Sequence, residues 1–229
     1  MLRPRIIPVL LVQNKGLVKT TQFRNPKYLG DPLNAVKIFN EKEVDELIIL
    51  DLDATVYNNS PDLLSIQNWA SECRMPLCYG GGISTVEQIE QLISLGVEKV
   101  AINSSALLNP DIINQAVSLV GSQSVVVVVD YRKRKLINGY DIYLQNGKKK
   151  YDKELISWIL EIEKRGAGEV VLNSIDNDGM MKGYDIELVR FVKNNVSIPI
   201  TVIGGCGSLQ DIKDLVNQFN IIGAGVGSL

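Results

Sequence analysis

The stretch YGGGISTVEQIEQLI, residues 79–93, contains the parts of one β/α unit in order. A glycine run at 80–82 follows a short apolar segment, Ser84 is a residue type that often begins helices, and apolar residues then recur at helical spacing. The same order returns in IGGCGSLQDIKDLV, residues 203–216, which is offset by 124 positions (Gly80 to Gly204). The chain therefore predicts a strand, a glycine-rich loop and a helix at two equivalent places.

Units of this kind extend over the whole chain. Eight apolar runs alternate with helical segments: IIPVLLV, DELIILDL, MPLCYG, EKVAIN, SVVVVVD, GEVVLNS, IPITVIG and IIGAGV. Because these runs are apolar enough to be buried on both faces, they predict a parallel (β/α)8 TIM barrel. A doubly wound open sheet is the alternative, but eight units of roughly 30 residues fit closure better. No helical segment follows the eighth run, so we expect a longer chain or a partner to cover the apolar seam.

Further repeats divide the barrel into two half-barrels of four units each. DELIILDLDAT from residue 45 aligns with GEVVLNSIDND from residue 168, and AINSS from residue 101 aligns with GVGSL from residue 225. The alignments superimpose three residue pairs: Glu46 with Glu169, Asp53 with Asp176, and Ser104 with Ser228. We expect one barrel domain, residues 1–229, with halves at about 1–121 and 122–229.

The first and fifth strands break this symmetry. At a shift of 119 residues the fifth strand falls on the first, and Asp130 lies over Leu11. After the fifth strand, the segment RKRKLINGYDIYLQNGKKKY, residues 132–151, holds two Asn-Gly pairs between alternating runs, which predicts a small hairpin insert. Its basic residues are expected to form a solvated face, with phosphate steering as the alternative.

The composition bounds the possible function. The 229 residues are 45% hydrophobic and 22% charged, with a net charge of −2, so no basic field suggests a nucleic-acid partner. The apolar runs are only as long as strands and no signal-peptide pattern is visible, which predicts a cytoplasmic protein without a membrane partner. Three scattered cysteines and the absence of histidine predict no metal site and no cofactor. Acid–base chemistry must then use carboxylates, Lys, Tyr or Cys.

The glycine-rich loops predict a phosphate-binding mouth with a site on each wall. Glycine lets a phosphate approach the backbone, and barrel enzymes often bind phosphate after strands seven and eight. Here the third and fourth strands offer a matching pair of loops, which suits a ligand with a phosphate at each end. The alternative is that these glycines only make tight turns. The candidate phosphate or substrate residues are Lys19, Gly82, Asn103, Ser104, Asp176, Gly179, Gly204, Gly205, Gly227 and Ser228.

Lys19 is expected in a long loop after the first strand, where it reaches a phosphate or is solvated. The Asp-rich stretch at 176–179 faintly echoes a calcium loop, but the other ligands are absent. At the opposite end of the barrel, strands one, two, four and six begin with a charged residue: Arg5, Glu46, Lys99 and Glu169. Two positive and two negative groups in a barrel floor must pair, because an isolated buried ion costs several kcal/mol. The residues alone favour a structural ring of ion pairs over a functional one.

The ensemble of motifs resembles the cyclase subunit family of imidazole glycerol phosphate synthase (HisF-like), a lyase of histidine biosynthesis. RIIP, GDP, DELIILD, YGGGI, EKVAIN, EKRGAGEVVLNSIDNDG and GYDIELVRFV carry the resemblance over nearly the whole chain. It implies a (β/α)8 barrel that binds a bisphosphate through both halves and has a glutaminase subunit (HisH-like) docked on its N-terminal face. It also implies that Arg5, Glu46, Lys99 and Glu169 are the family's ammonia gate.

The chain departs from the family at one catalytic position. The family uses an aspartate at the ends of strands one and five; Asp130 matches the second, whereas Leu11 occupies the first. Loss of a positioned acid or base costs about 10²- to 10⁴-fold in rate, so we expect cyclase activity to be lost. Met180 also replaces a usual Thr.

A barrel with these changes resembles a paralogous group that supplies ammonia to sugar amidotransferases, which build acetamidino groups in lipopolysaccharide O-antigen or nonulosonate pathways. A working cyclase of histidine biosynthesis is the alternative, and another phosphosugar-binding barrel is a third.

Overall fold

The computed structural model describes residues 3–134 and 139–227. These residues form twelve strands: β1 (Arg5–Gln13), β2 (Gly16–Thr21), β3 (Arg24–Gly30), β4 (Leu47–Asp51), β5 (Leu77–Gly80), β6 (Lys99–Ile102), β7 (Val125–Lys133), β8 (Tyr140–Leu144), β9 (Lys149–Glu154), β10 (Glu169–Ser174), β11 (Ile200–Ile203) and β12 (Gly223–Val226). The helices of the same residues are α1 (Pro32–Glu41), α2 (Leu52–Val56), α3 (Leu63–Glu72), α4 (Val86–Ser94), α5 (Ser104–Leu108), α6 (Asp111–Val120), α7 (Leu155–Lys164), α8 (Ile186–Lys193) and α9 (Leu209–Phe219).

Eight parallel strands of the described residues close into a barrel. Each of β1, β4, β5, β6, β7, β10, β11 and β12 pairs in parallel with the next, and β12 pairs with β1 to complete the ring. The predicted (β/α)8 barrel is confirmed, and closure rules out the open sheet. All eight apolar runs identified in the sequence are barrel strands, because β-branched and aliphatic side chains pack well on both faces of a covered parallel sheet.

Side-chain caps begin most of the outer helices. Asp31, Asp62, Asp185 and Ser208 accept hydrogen bonds from the first-turn amides of α1, α3, α8 and α9. At α4 the cap is Thr85 rather than Ser84, and Gln88 completes a capping box. These caps fix where each outer helix begins, at the end of the barrel where the strands have their carboxyl ends.

Two antiparallel hairpins leave the barrel at equivalent strands. The insert after β7 is the predicted hairpin, β8 and β9, with Asn146 and Gly147 in its turn; Asn138 lies outside the described residues. The expected long loop after β1 is instead a second hairpin, β2 and β3, so Lys19 lies in a strand. The proposed division of the halves at residues 121 and 122 falls between α6 and β7.

Two apolar clusters lie on either side of the barrel wall. The larger one fills the space between the strands and the helices. The smaller one lies inside the barrel, on the inward-facing positions of its strands. Its buried members are Ile7, Val9, Ile48, Cys78, Ala101, Val126, Val128, Val171 and Ile203. These residues line the barrel interior between its N-terminal end, the floor, and its C-terminal end, the mouth. This inner cluster is called the lumen below.

Candidate functional site

A cavity of about 520 Å³ opens at the carboxyl ends of the barrel strands. Both predicted glycine-rich walls face this cavity, which lies at the end of the barrel where enzymes of this fold have their active sites. The residues named from the sequence that line the cavity are Leu11, Lys19, Gly82, Asn103, Ser104, Asp130, Gly179, Gly204, Gly205 and Gly227. Ser228 lies outside the described residues. Asp176 does not belong to the lining: its carboxylate accepts a hydrogen bond from the backbone N–H of Lys133, 3.1 Å away.

Asp130 is buried at the base of the cavity, with 6% of its surface exposed. Its Oδ2 accepts a hydrogen bond from Nδ2 of Asn103 and its Oδ1 accepts one from Nδ2 of Asn173, both at 2.8 Å. Burial raises the pKa of Asp130 to about 7, although the two amide donors pull that pKa down. A carboxyl group with this pKa exchanges protons near neutral pH, which suits a general acid or base.

Leu11 lies at the same depth on the opposite half of the barrel. It is the cross-strand partner of Leu50, whereas Asp130 is the partner of Asn173. Leu50 and Asn173 are themselves equivalent in the repeat, because each lies four residues after Glu46 or Glu169. At these two positions the first half of the barrel therefore lacks both the carboxylate and the amide that the second half has. Leu11 and Leu50 instead give this side of the cavity an apolar wall.

The glycines of the two walls meet backbone at close range. A Cβ on Gly81 would lie 2.6 Å from the carbonyl oxygen of Asp51, and one on Gly205 would lie 2.0 Å from that of Gly183. Both glycines also have a positive φ, 130° and 106°, that disfavours other residues. The tight turns predicted as an alternative therefore exist. The walls still face the cavity, so turn formation and ligand approach are compatible.

Asp178 connects the first hairpin to the rim of the cavity. Its Oδ2 accepts a hydrogen bond from the Thr20 hydroxyl at 2.7 Å and from the Phe23 N–H at 3.0 Å. Across the cavity, Asn146 of the second hairpin donates to the Leu52 carbonyl at 2.6 Å. The two hairpins thus border the mouth and are held by loops of the barrel. Sequence reasoning missed this arrangement, as well as the lining positions of Asn146 and Lys149.

Most basic residues of the second hairpin pair with carboxylates nearby. Lys133 contacts Glu187 at 2.7 Å, and both Arg134 and Lys150 contact Asp141, at 2.7 and 3.0 Å. These pairs are partly solvated and are the face expected from the sequence.

At the floor of the barrel, four charged side chains form a closed ring of ion pairs, called the charged ring below. Nη2 of Arg5 contacts Oε1 of Glu169 at 2.6 Å, and Nη1 of Arg5 contacts Oε2 of Glu46. Nζ of Lys99 contacts Oε2 of Glu46 at 2.8 Å and Oε2 of Glu169 at 2.9 Å. Burial disfavours the charged form of Lys99, but Glu169 and Glu46 outweigh burial and raise the pKa of Lys99. Lys99 therefore keeps its proton between the two carboxylates of the charged ring.

Comparison with known proteins assigns the fold to a family. The profile of the histidine biosynthesis protein family matches residues 5–229. The chain belongs to this family. It is 54% identical, over its whole length and 88% of the relative, to a protein of Vibrio vulnificus provisionally named imidazole glycerol phosphate synthase subunit hisF3. It is 52% identical over 90% of a provisionally named HisF subunit of Leptospira borgpetersenii. The chain is also 38% identical to the imidazole glycerol phosphate synthase subunit HisF of Lactococcus lactis. This match covers 94% of the chain and 83% of that relative.

Membership of the histidine biosynthesis protein family agrees with the resemblance seen in the sequence. The four floor residues to which that resemblance gave a gate role are one connected cluster. Three residues near these sites had no signal in the sequence: Asn173, Leu50 and the fully buried Thr201, which hydrogen-bonds to the charged ring. Separately, none of the helices that the described residues form has the length and apolar character needed to cross a membrane.

Proposed function

We propose that this barrel receives ammonia from a glutaminase subunit, conducts it through the lumen, and delivers it to a sugar amidotransferase that builds acetamidino groups on bacterial surface sugars. In this proposal the cyclase chemistry of the family has been lost. The observation that carries it is the contrast between the floor and the mouth. The charged ring is complete, whereas the mouth has Leu11 where the family has a catalytic aspartate.

The N-terminal face supports docking of a glutaminase over the charged ring. Ile6 follows the ring residue Arg5 and is 45% exposed, and Ile221, also 45% exposed, precedes the strand that pairs with it. Exposed apolar side chains beside a buried functional group are typical of an interaction surface. The ring side of the barrel is therefore the proposed entrance for ammonia.

The lumen above the ring supports passage of a small neutral molecule. Its walls are aliphatic, apart from the buried thiol of Cys78. Neutral ammonia crosses such a region without the desolvation cost of an ion, whereas the charged ammonium ion incurs that cost. The lumen leads from the charged ring toward Val9 and Val128, which also line the cavity at the mouth.

The mouth supports delivery rather than cyclisation. A cyclase of this family uses two carboxylates, and in this barrel Asp130 faces an apolar wall formed by Leu11 and Leu50. The glycine walls are then an inherited site for a phosphate-bearing molecule. The four relatives at 47–54% identity are named only provisionally, two of them with the numbered names hisF3 and hisF2, while those near 40% carry the name HisF without that qualification. This grouping favours a specialised role.

The alternative function is the cyclase reaction of histidine biosynthesis. One observation favours it: Asp130 has a pKa of about 7 and lies between two walls suited to a bisphosphate. On this alternative, Asp130 alone would act as both general acid and general base. The experiment below separates the two functions.

The test supplies the purified barrel with the family's bisphosphate substrate and an ammonium salt, and measures turnover. The relative from Lactococcus lactis serves as the positive control under the same conditions. We expect turnover at least about 10²-fold below the control, the smallest loss typical for a missing acid or base. Turnover equal to the control would establish the cyclase alternative. A second measurement mixes the barrel with a HisH-like glutaminase; formation of a complex and faster glutamine hydrolysis are the expected results.

A further inference from the structure

Thr201 is a neutral, fully buried member of the barrel floor. It lies on β11, has no exposed surface, and its hydroxyl donates a hydrogen bond to Oε1 of Glu169 at 2.5 Å. The same hydroxyl oxygen accepts a longer hydrogen bond, 3.4 Å, from Nη2 of Arg5. Thr201 therefore contacts one anion and one cation of the charged ring.

The backbone opposite makes room for this hydroxyl. Thr201 is the cross-strand partner of Gly223, and a Cβ at position 223 would lie 1.8 Å from the Thr201 Oγ1 atom. Any side chain at 223 would displace the hydroxyl from its place beside Glu169. The absence of a side chain at Gly223 therefore leaves the space that the Thr201 hydroxyl occupies in the floor.

This hydroxyl makes the two carboxylates of the charged ring unequal. Each carboxylate contacts both cations, but Glu169 accepts a third donor, the Thr201 hydroxyl. In the part of the chain that the structure describes, Glu46 has no corresponding third donor. When a cation moves away, Glu169 keeps a neutral hydrogen bond that holds its carboxylate in position, whereas Glu46 keeps only the other cation.

We propose that Thr201 is a fifth residue of the gate, a positioning residue that fixes Glu169 and keeps the charged ring closed until a cation leaves Glu46. The inference rests on the proposed role of the ring as the ammonia entrance and adds how that entrance is held shut. It assigns the holding role to the hydroxyl and not to the bulk of the side chain. Thr201→Val and Thr201→Ser separate these two contributions, because Val keeps the shape and Ser keeps the hydroxyl.

Cys78 provides a reporter of ring opening. It is the cross-strand partner of Lys99, belongs to the lumen, and is 1% exposed. The experiment replaces the other two cysteines, Cys73 and Cys206, by Ser and measures the rate at which methyl methanethiosulfonate modifies Cys78 in the isolated barrel. Since a hydrogen bond to a charged group is lost, we expect Thr201→Val to raise this rate about tenfold or more, and Thr201→Ser to stay within about twofold of the parent.

Two controls make the result specific. Thr85→Val removes the N-cap of α4, far from the floor, and should leave the Cys78 rate unchanged although it lowers stability. If Thr201→Val does not fold, Thr201→Ala and Thr201→Ser form a second pair that differs by one hydroxyl, and the faster rate is expected for Ala.

The inference is overturned if the valine variant reacts at the parent rate, or if the serine variant reacts as fast as the valine variant, since packing would then explain the residue. The assay contains no glutaminase and no ammonia acceptor. A failure of ammonia delivery in the full complex would therefore not change the relative rates of Cys78 modification in the Thr201 variants. Likewise, an unexpected order of these rates would not decide whether the full complex delivers ammonia.

Discussion

Leu11 and Asp130 occupy equivalent places in the two halves of the barrel. Each is the residue at which a barrel strand also begins to pair with its hairpin: Leu11 pairs with Val18, and Asp130 pairs with Tyr143. Their partners in the parallel direction are Leu50 and Asn173. At these equivalent strand positions, the second half of the mouth therefore has an amide that holds a carboxylate, whereas the first half has two leucines.

The first prediction concerns restoration of the missing acid. Leu11→Asp alone places a carboxyl group beside Leu50, without an amide donor, so we expect a loss of stability of about 1–3 kcal/mol. The double variant Leu11→Asp with Leu50→Asn copies the pair of the second half. It should recover part of that stability and show about tenfold or more cyclase turnover above the parent. Urea unfolding and the substrate assay measure both effects; equal activity in single and double variants would contradict the role assigned to the amide.

The second prediction concerns stability and pH. The folded pKa of Asp130, about 7, lies above the value of about 3.9 for an unfolded chain. Between these pH values the folded protein holds a proton that the unfolded chain has released. The free energy of unfolding should therefore fall as the pH rises from about 4 to about 7, by up to about 4 kcal/mol from this group. Asp130→Asn should remove this component, which is measured as the difference between the urea-unfolding pH profiles of variant and parent. Parallel profiles would refute it.

The third prediction concerns Asn173. Its Nδ2 donates to the ionised form of Asp130, so Asn173→Leu should raise the pKa of Asp130 by about one pH unit. A carbon-13 NMR titration of the Asp130 carboxyl group measures this directly. Asn109→Leu, an exposed substitution at the end of α5, is the matched control and should leave the titration unchanged. An unaltered pKa in Asn173→Leu would contradict a role of this hydrogen bond in setting the value.

The fourth prediction compares two ion pairs near the floor. Lys99→Met leaves Arg5 as the remaining cation of the charged ring for Glu46 and Glu169, and such loss of a buried partner costs about 3–5 kcal/mol of unfolding free energy. Arg3→Met removes an ion pair with Asp45 in which Arg3 is 77% exposed, and it should cost less than about 1 kcal/mol. Chemical denaturation of the two variants measures the difference. Similar losses in both would mean that the charged ring is solvated in solution.

The fifth prediction tests the proposed glutaminase surface. Ile6→Glu introduces a charge beside the charged ring and should weaken complex formation with a HisH-like glutaminase at least about tenfold. Leu209→Glu alters a residue that is 78% exposed at the start of α9, at the opposite end of the barrel, and should have no effect. A binding titration followed by glutaminase rate distinguishes them. Equal affinity of both variants would place the partner elsewhere.

The barrel strands were predictable because each is a short apolar run. The hairpin of β2 and β3 was not, because β3 is exposed along nearly its whole length and its residues show no alternation. Its turn residues Gln22 and Phe23 both have a positive φ, 52° and 59°, where Asn and Gly are the usual signal. Contacts with Asp178 hold this turn instead, and such contacts are invisible before the chain is folded.

For the residues of the candidate sites, too, only some could be predicted from the sequence. Asp130 was recognisable because it ends an apolar run, and the ring residues were recognisable because they begin such runs. Asp176 and Asp178 are two positions apart, and the turn between them decides which one lines the cavity. Thr201 was unrecognisable, since threonine is an ordinary strand residue and its hydroxyl gains meaning only when barrel closure sets β11 beside β10.

The lumen has a consequence for how such a protein diverges. Its aliphatic layers lie between the charged ring and the mouth, and none of the hydrogen bonds made by the ring residues reaches Asp130 or its two amide partners within the described residues. A substitution at one end of the barrel is therefore insulated from the other end. Leu11 remains in a strand whose backbone bonds to β2 and β4 do not depend on its side chain. A side chain at the mouth can therefore be exchanged while the charged ring and the pairing of the strands stay intact.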